Sequence, residues 1–240
     1  MDNRAKAAEL IRTAKHLVAL TGAGISQESN VPTFRGKDGL WKHYNVMDLA
    51  TPQAFNRNPE LVWEWYAWRQ NLIAQCNPNP AHYTLVKWEK NQILKSLITQ
   101  NVDGLHRKAG STKVLEVHGN IWSLKCTQCS YHAQITQPAQ SLPRCPKCKV
   151  NLRPDVVWFG ESLPSQIMIQ VYTELHNADA ILVIGTSALV QPAASFPFLV
   201  KRQGGCILEI NIEETLLTSA VDIHLSGKAA EILSQLDQLL

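Results

Sequence analysis

The chain has 240 residues, of which 45% are hydrophobic and 18% charged, and this composition excludes a disordered or fibrous protein. No apolar run approaches the ~18 residues that a membrane-spanning helix needs, and the first ten residues do not resemble a signal peptide. We therefore expect a cytoplasmic protein with no membrane partner. A net charge of +3 is too small to indicate nucleic acid as the main ligand.

Short apolar strands alternate with helical segments along most of the chain. The first helix is predicted over residues 2–15, and further helices over 61–72, 165–177 and 192–202. The predicted strands are Leu17–Leu20, Ser96–Thr99, Val114–Val117, Ala180–Ile184, Cys206–Ile210 and Asp222–Leu225. This alternation is typical of an α/β fold, a doubly wound parallel sheet with helices on both faces. The pattern does not give the order of the strands in the sheet.

Two segments interrupt the alternation. Residues 36–79 are rich in tryptophan and helical in pattern, and residues 122–153 contain two cysteine pairs. We interpret both as insertions that form a small lobe on the sheet, within a single domain that spans residues 1–240. A cleft between a sheet domain and a second lobe is a common ligand site.

Four of the six cysteines form two Cys-x-x-Cys pairs, separated by fifteen residues (130–144). This spacing is typical of four-thiolate zinc sites, in which each pair places two sulfurs on one side of a tight turn. The predicted ligands are Cys126, Cys129, Cys145 and Cys148. Disulfides are disfavoured in a reducing compartment, and a redox pair would not need a second pair at this spacing. Because four protein ligands close the site, we expect the zinc to be structural.

Glycines and small polar residues follow several predicted strands. Gly22-Ala23-Gly24 would let backbone N–H groups approach a phosphate, although Gln27 stands where the G-x-G-x-x-G fingerprint has its last glycine. The segments 99–106 and 185–187 follow two other strands, and His118 follows a further one. His118 is either a structural histidine or a general base, since its pKa lies near neutrality. Carboxyl ends of parallel strands share one edge, so these residues predict a site there.

In their order along the chain, these motifs resemble those of the sirtuins, the class III NAD-dependent protein-lysine deacylases. The matching segments are Gly22–Ser26, Val31–Arg35, Gln100–Asp103, His118–Gly119, the two cysteine pairs, Val156–Glu161 and Gly185–Ser187. They cover about residues 15–230 of the chain. Asn30 stands where sirtuins usually have glycine, and asparagine tolerates the left-handed backbone conformation better than other residues, so we expect the turn to be kept.

The resemblance implies a Rossmann-type sheet domain, a zinc-ribbon lobe, and NAD consumed as a cosubstrate. The implied NAD contacts begin with the turn after the first strand and end with residues near adenosine. They are Gly22, Ala23, Gly24, Ser26, Thr33, Phe34, Arg35, Trp41, Gln100, Asn101, Val102, Asp103, Gly185, Thr186, Ser187, Asn211, Ile212, Glu213 and Ala229.

The resemblance also implies the chemistry. The acyl carbonyl oxygen would attack the ribose carbon as nicotinamide leaves, and His118 would act as general base on a ribose hydroxyl. The products would be nicotinamide, free lysine and O-acyl-ADP-ribose. An acyl-lysine peptide would bind as an added strand, largely through main-chain bonds, to Val157, Trp158, Phe159, Gly160 and Glu161.

Tyr66 and Arg69 lie three residues apart in the predicted helix 61–72 and therefore share one face. An arginine is suited to bind a carboxylate, and a phenol can add a hydrogen bond. A solvated arginine on an amphipathic helix is the alternative interpretation. The pair resembles the Tyr-x-x-Arg signature of sirtuins that remove acidic acyl groups, which implies activity on succinyl, malonyl and possibly glutaryl groups as well as on acetyl.

Three other functions fit parts of the sequence. An NAD-linked oxidoreductase would use the same sheet, but it would leave the Tyr-x-x-Arg pair unexplained. A zinc-ribbon nucleic-acid binder is disfavoured, because the basic residues near the cysteine pairs form only a small patch. A sirtuin acting mainly as a mono-ADP-ribosyltransferase is the third alternative.

Overall fold

The computed structural model describes residues 2–33, 39–40 and 45–240. Its α-helices are α1 (Asn3–Thr13), α2 (Gly24–Gln27), α3 (Val46–Leu49), α4 (Pro52–Arg57), α5 (Pro59–Ala74), α6 (Pro80–Lys90), α7 (Leu105–Ala109), α8 (Ser165–Asn177), α9 (Phe196–Arg202) and α10 (Ala229–Leu239). Its strands are β1 (Leu17–Thr21), β2 (Leu94–Thr99), β3 (Val114–Glu116), β4 (Gly119–Cys126), β5 (His132–Gln134), β6 (Leu152–Val156), β7 (Ala180–Ile184), β8 (Cys206–Asn211) and β9 (Ile223–Ser226).

The predicted strands are confirmed, and each observed strand end lies within two residues of the predicted one. The helix predicted over 165–177 is also confirmed at both ends. The segment predicted as one helix over 192–202 divides into a short 3₁₀ turn, Ala193–Ser195, followed by α9. The strands of the small lobe were not predicted, because its cysteine and proline pattern hides the alternation that marks a strand.

Six strands of the described chain form a parallel sheet in the order β3-β2-β1-β7-β8-β9. Numbered within this sheet, the order is 3-2-1-4-5-6, the arrangement of dinucleotide-binding folds. The order reverses between β1 and β7, and the crevice at such a switch point is where these sheets bind ligands. The predicted doubly wound α/β fold is therefore confirmed.

The central strands are buried on both faces, as a helix-covered parallel sheet requires. Alternate residues of β1 enter different apolar clusters, with Leu17 and Ala19 on one face and Val18 and Leu20 on the other. Helices α1, α6 and α10 cover the first face, and α8 and α9 cover the second. Burial of this kind stabilises the sheet by about 25 cal/mol for each Å² of apolar surface.

The small lobe contains an antiparallel sheet in the order β5-β4-β6, packed against α5. Two buried hydrogen bonds connect the layers, from Trp63 Nε1 to Leu152 O at 2.8 Å and from Gln70 Nε2 to Ile121 O at 2.8 Å. Helices α4, α5 and α6 each begin with a polar cap residue followed by proline, which satisfies an exposed N–H and fixes the first helical φ. These local signals determine where the helices start.

Two buried histidines next to the parallel sheet resist protonation. The rings of His82 and His106 lie 4.8 Å apart, and His106 Nε2 is 3.0 Å from Thr21 Oγ1. Burial lowers the pKa of His82 to about 4, and burial together with His82 lowers the pKa of His106. The folded chain therefore keeps both rings neutral at pH values where the unfolded chain protonates them.

We expect the free energy of unfolding to fall as the pH drops from 7 to 5, because the unfolded state binds more protons there. The shift at His82 accounts for about 2 kcal/mol of this loss at pH 5. Urea denaturation at the two pH values measures it, and His82→Gln should remove that part of the pH dependence. The exposed His132→Gln is the control; an equal change in both variants would contradict the assignment.

Candidate active site

A cleft of about 900 Å³ lies between the carboxyl edge of the parallel sheet and the small lobe. Its size falls within the range of small-molecule and cofactor sites. Most of the predicted site residues line it. They are Gly22, Ala23, Gly24, Thr33, Tyr66, Arg69, Gln100, Asn101, Val102, His118, Val157, Trp158, Phe159, Gly160, Glu161, Gly185, Thr186, Ser187, Asn211, Ile212 and Glu213.

Glycines form the base of the cleft at the strand switch point. The N–H groups of Gly22 and Gly24 donate to Ile184 O at 3.0 Å and to Gly185 O at 2.8 Å. A Cβ atom on Gly24 would lie 2.7 Å from the Gly185 Cα, and Gly185 itself has a φ of +57°. These glycines are therefore required by backbone packing between the turns after β1 and β7. Because their N–H groups have partners, contact with a phosphate at these two positions stays a prediction.

The turn after α2 keeps the conformation that the sequence predicts. Asn30 has a φ of +63°, which glycine and asparagine adopt more easily than other residues. Its backbone N–H donates to Gln27 O at 3.0 Å, and the next residue, Val31, is buried. The expectation that asparagine preserves this turn is confirmed.

The polar residues after β2 form a buried network beside the cleft. Asn101 Nδ2 donates to Gly22 O at 3.0 Å and to Ser26 Oγ at 3.2 Å, and Ser26 Oγ donates to Asp103 Oδ2 at 2.8 Å. Gln100 Nε2 donates to Thr186 Oγ1 at 3.0 Å across the switch point. Burial raises the pKa of Asp103 above its usual value. Asn101 and Gln100 line the cleft, whereas Ser26 and Asp103 lie behind it and hold Asn101 in place.

His118 lies at the cleft wall, and one of its ring nitrogens is hydrogen-bonded within the protein. His118 Nδ1 is 3.0 Å from the carbonyl oxygen of Gln100. A carbonyl only accepts hydrogen bonds, so Nδ1 carries the hydrogen and Nε2 keeps a lone pair. Burial lowers the pKa of His118, and the bond to Gln100 opposes this effect in part. At neutral pH the ring is therefore a neutral base.

Tyr66 and Arg69 lie on one face of α5 and are buried, with 1% and 5% of their surfaces exposed. Both line the cleft, so the alternative of a solvated arginine is wrong. The Arg69 guanidinium carbon lies 5.0 Å from the centre of the Trp65 ring. Burial lowers the pKa of Arg69 to about 10, while Tyr66 and Asp103 raise it. The group therefore remains charged at neutral pH.

The segment predicted to bind a peptide continues from β6 along the cleft. The backbone N–H groups of Val157 and Phe159 donate to His118 O and Ala50 O, each at 2.9 Å. The Glu161 carboxylate accepts a hydrogen bond from the Trp158 backbone N–H at 2.8 Å. It also accepts hydrogen bonds from both terminal nitrogens of Arg153, at 2.5 and 2.9 Å. Burial raises the pKa of Glu161, but the hydrogen bonds from Arg153 and Trp158 outweigh it and the net shift is downward. The Glu161 carboxylate is thus already hydrogen-bonded to Arg153 and to the backbone of Trp158.

A loop after β8 forms the opposite end of the cleft. Asn211 Nδ2 donates to Thr186 O at 2.9 Å, which connects this loop to the residues after β7. Farther along, Thr215 Oγ1 and Thr218 Oγ1 each donate to the buried Glu209 at 2.6 Å. His224 Nδ1 lies 2.9 Å from the same carboxylate. These bonds fix the loop in place.

The four predicted zinc ligands lie together at the far end of the small lobe. All four sulfurs are within 4.8 Å of one another, and three of the pairs are 3.4, 3.6 and 3.7 Å apart. A tetrahedron with zinc–sulfur distances of about 2.3 Å requires sulfurs about 3.8 Å apart. The cluster therefore fits a zinc ion. Cys126 pairs with Leu152, so an ion here would close the outer end of the β4–β6 ladder.

The other end of that ladder positions the cleft residues. Gly119 follows His118 and pairs with Val156, which precedes the segment 157–161. Gly119 has a φ of +77°, and a Cβ atom there would lie 2.0 Å from Asp155 O. Only glycine fits, so the two strands bring His118 and the segment 157–161 together.

A few predicted residues lie elsewhere. Phe34, Arg35 and Trp41 are outside the described residues. Ala229 begins α10 and does not line the cleft; the next N–H, that of Ala230, donates to Glu28. The sequence interpretation missed several lining residues, most of which are close in sequence to predicted site residues. They are Gln27, Ala50, Trp65, Leu163, Leu189, Val190, Gln191, Glu214, Thr215 and Leu216.

Comparison with known proteins decides the family. Residues 22–192 match the Sir2 family. The NAD-dependent protein deacylase of Pyrococcus furiosus is 51% identical over 235 residues, which cover 95% of this chain and 94% of that protein. This chain belongs to the Sir2 family.

Solved structures of Sir2 proteins have the same fold as this chain. A crystal structure of a Sir2 homologue–NAD complex superposes with a TM-score of 0.94 at 49% identity, covering 99% of this Sir2 chain and 93% of the other. Sir2Af2 bound to a myristoylated histone peptide superposes with a TM-score of 0.82 at 33% identity, covering 99% and 96%. In addition, the described residues include no helix long and apolar enough to span a membrane.

We expect the acid limb of the pH profile for deacylation to have its midpoint below 6.5, the ordinary pKa of histidine. His118 is the predicted general base, which works only when deprotonated, and burial lowers the pKa of its ring. The measurement is kcat/KM against pH. His118→Asn should remove nearly all activity; a profile unchanged by that variant would show that another group is the base.

We expect about one zinc per chain after purification without chelator. Cys148→Ser should lower both the zinc content and the melting temperature, because it removes one ligand from the cluster. Metal analysis and thermal denaturation measure the two effects. Cys206→Ser, outside the cluster, should leave the zinc content unchanged; full zinc occupancy in Cys148→Ser would contradict this assignment.

Proposed function

We propose that this chain is an NAD-dependent protein-lysine deacylase that removes succinyl and malonyl groups, and also acetyl groups. NAD binding at the sheet edge is supported by the strand order, the cleft at its switch point and the Sir2 relatives that bind NAD or ADP-ribose. When bound, NAD supplies the ribose carbon that accepts the acyl oxygen. In this proposal the residues after β1, β2 and β7 hold it: the main candidates are Ala23, Gln100, Asn101, Thr186 and Ser187.

In this proposal His118 is the general base. Its Nε2 lone pair accepts a proton from a ribose hydroxyl, while the Nδ1 hydrogen bond to Gln100 keeps the ring in the required tautomer. Proton uptake converts the ring to imidazolium, which the carbonyl of Gln100 stabilises through the same bond. The buried surroundings favour the neutral ring before reaction, so the base is ready at neutral pH.

An acyl-lysine peptide would lie along the segment 157–161. The N–H groups of Val157, Trp158 and Phe159 already have partners within the chain, so an added strand would pair mainly with carbonyl oxygens there. Solved Sir2 structures with a p53 peptide and with a myristoylated histone peptide support a peptide site in this fold. Because such contacts are made by the main chain, the selectivity depends on the acyl pocket.

The observation that carries the acidic acyl preference is the pairing of Tyr66 and Arg69 at the cleft wall. Arg69 offers only hydrogen-bond donors and a positive charge, and it is 5% exposed. A guanidinium forms strong charge-assisted hydrogen bonds with a carboxylate, often two in parallel, so a carboxylate at the end of the acyl chain would be favoured here. Succinyl and malonyl groups carry that carboxylate, whereas an acetyl group is too short to supply one.

We expect Arg69→Met to lower kcat/KM for succinyl-lysine peptides about 100-fold, because it removes the charged partner of the carboxylate. Activity on the matched acetyl-lysine peptide should change only a few-fold. Peptide mass spectrometry with and without NAD measures both. Arg57→Met, which replaces an exposed arginine of the same lobe, is the matched control and should change neither.

Equal loss on both substrates in Arg69→Met would overturn the acidic acyl assignment and keep the deacylase. If the unmodified protein, with NAD present, removes neither acyl group from the peptides, the deacylase assignment itself is overturned. Attachment of ADP-ribose to the peptide would then indicate ADP-ribosyl transfer.

A further inference from the structure

Within the described part of the chain, the Tyr66 hydroxyl has a single hydrogen-bond partner, which is another buried side chain. Trp158 Nε1 lies 2.8 Å from the Tyr66 hydroxyl oxygen. The two residues are 2% and 1% exposed, so water does not compete for this bond. Their rings are tilted, with centres 6.4 Å apart.

The chemistry of this bond fixes the direction of the Tyr66 hydrogen. An indole N–H can only donate, so the Tyr66 oxygen must accept and its own hydrogen must point away from Trp158. Among residues 2–33, 39–40 and 45–240, the hydroxyl donates to no protein group. Tyr66 and Arg69 both line the cleft, so this hydrogen is available to an acyl group that reaches the two residues.

Trp158 is itself held by an ion pair. The Arg153 guanidinium carbon lies 3.3 Å from the centre of the Trp158 ring, and Arg153 makes two hydrogen bonds to Glu161. Glu161 also accepts the Trp158 backbone N–H, and Arg153 donates to Val156 O at 2.7 Å. The Phe55 ring, with its centre at 5.4 Å, also packs on Trp158. Stacking and hydrogen bonds together restrict the indole to one orientation.

The same ion pair determines which arginine can bind an acyl carboxylate. Arg153 is 6% exposed, but its charge is balanced by Glu161 in a two-bond pair. Arg153 therefore adds little net charge to the cleft. Arg153 does not line the cleft, whereas Tyr66 and Arg69 do.

We propose that Trp158, held by Arg153 and Glu161, is a positioning residue that makes the Tyr66 hydroxyl a donor and so sets the preference for acyl groups ending in a carboxylate. Without the indole N–H, the hydroxyl can rotate and present a lone pair, which repels a carboxylate. The inference rests on the proposed function, in that the acyl end must reach Tyr66 and Arg69.

The test compares kcat/KM for matched succinyl-lysine and acetyl-lysine peptides in Trp158→Phe. The ratio of succinyl to acetyl activity should fall about tenfold, the usual effect of losing one hydrogen bond to a charged group. Using a ratio cancels losses that affect both peptides equally. Trp63→Phe is the matched control, because it removes an equally short buried indole bond, to Leu152 O, that does not involve Tyr66.

A double-mutant cycle separates positioning from general damage. Tyr66→Phe removes the donor, so Trp158→Phe added to it should lower the ratio no further. If Trp158→Phe does not fold, replacing Trp158 with benzothienylalanine removes only the N–H and keeps the ring shape. An unchanged ratio in that protein would overturn the positioning role.

The outcomes distinguish this inference from the function on which it rests. If Arg69→Met lowers the succinyl ratio and neither Trp158 replacement does, the positioning role is overturned and the acidic acyl assignment stands. If the effects of Tyr66→Phe and Trp158→Phe on the ratio add fully, the two residues act separately and the inference is also overturned. If the unmodified protein removes no succinyl group, the function fails first.

Discussion

The close contact between two turns at the strand switch point is the constraint on which the cleft depends. Gly22 and Gly24 pack on Gly185 so tightly that a Cβ atom on any of them would overlap backbone. This contact brings the ends of β1 and β7 together, and Gln100 and Thr186 then bridge the same gap. Larger residues would separate the turns, and the polar groups that line the cleft would lose their mutual positions.

In both candidate reactive positions, one internal hydrogen bond determines what the rest of the group can do. His118 donates its Nδ1 hydrogen bond to the carbonyl of Gln100, which leaves Nε2 as an acceptor. The indole N–H of Trp158 donates to the Tyr66 hydroxyl oxygen, which leaves the hydroxyl hydrogen of Tyr66 as a donor. The Trp158–Tyr66 bond is buried and the His118–Gln100 bond is partly buried, and both are made within the protein, so their directions persist without a ligand. The cleft therefore has acceptor and donor positions that are set before any substrate binds.

The small lobe forms a wall of the cleft and also positions residues that line it. Its β4–β6 ladder has the cysteine cluster near one end and the joint between His118 and Val157 at the other. The cysteine cluster and the cleft residues thus lie at opposite ends of the same pair of strands. Helix α5 packs on this ladder and presents Tyr66 and Arg69 to the same space.

The sequence by itself determined the strands of the parallel sheet and the set of four cysteines, because each depends on local pattern or spacing. Motif order along the chain was enough to indicate the Sir2 family. Strand order, the burial of Arg69 and the bonds that orient His118 and Tyr66 were decided by the tertiary structure. Each depends on residues far apart in the chain, such as Tyr66 and Trp158, whose contact no local pattern records.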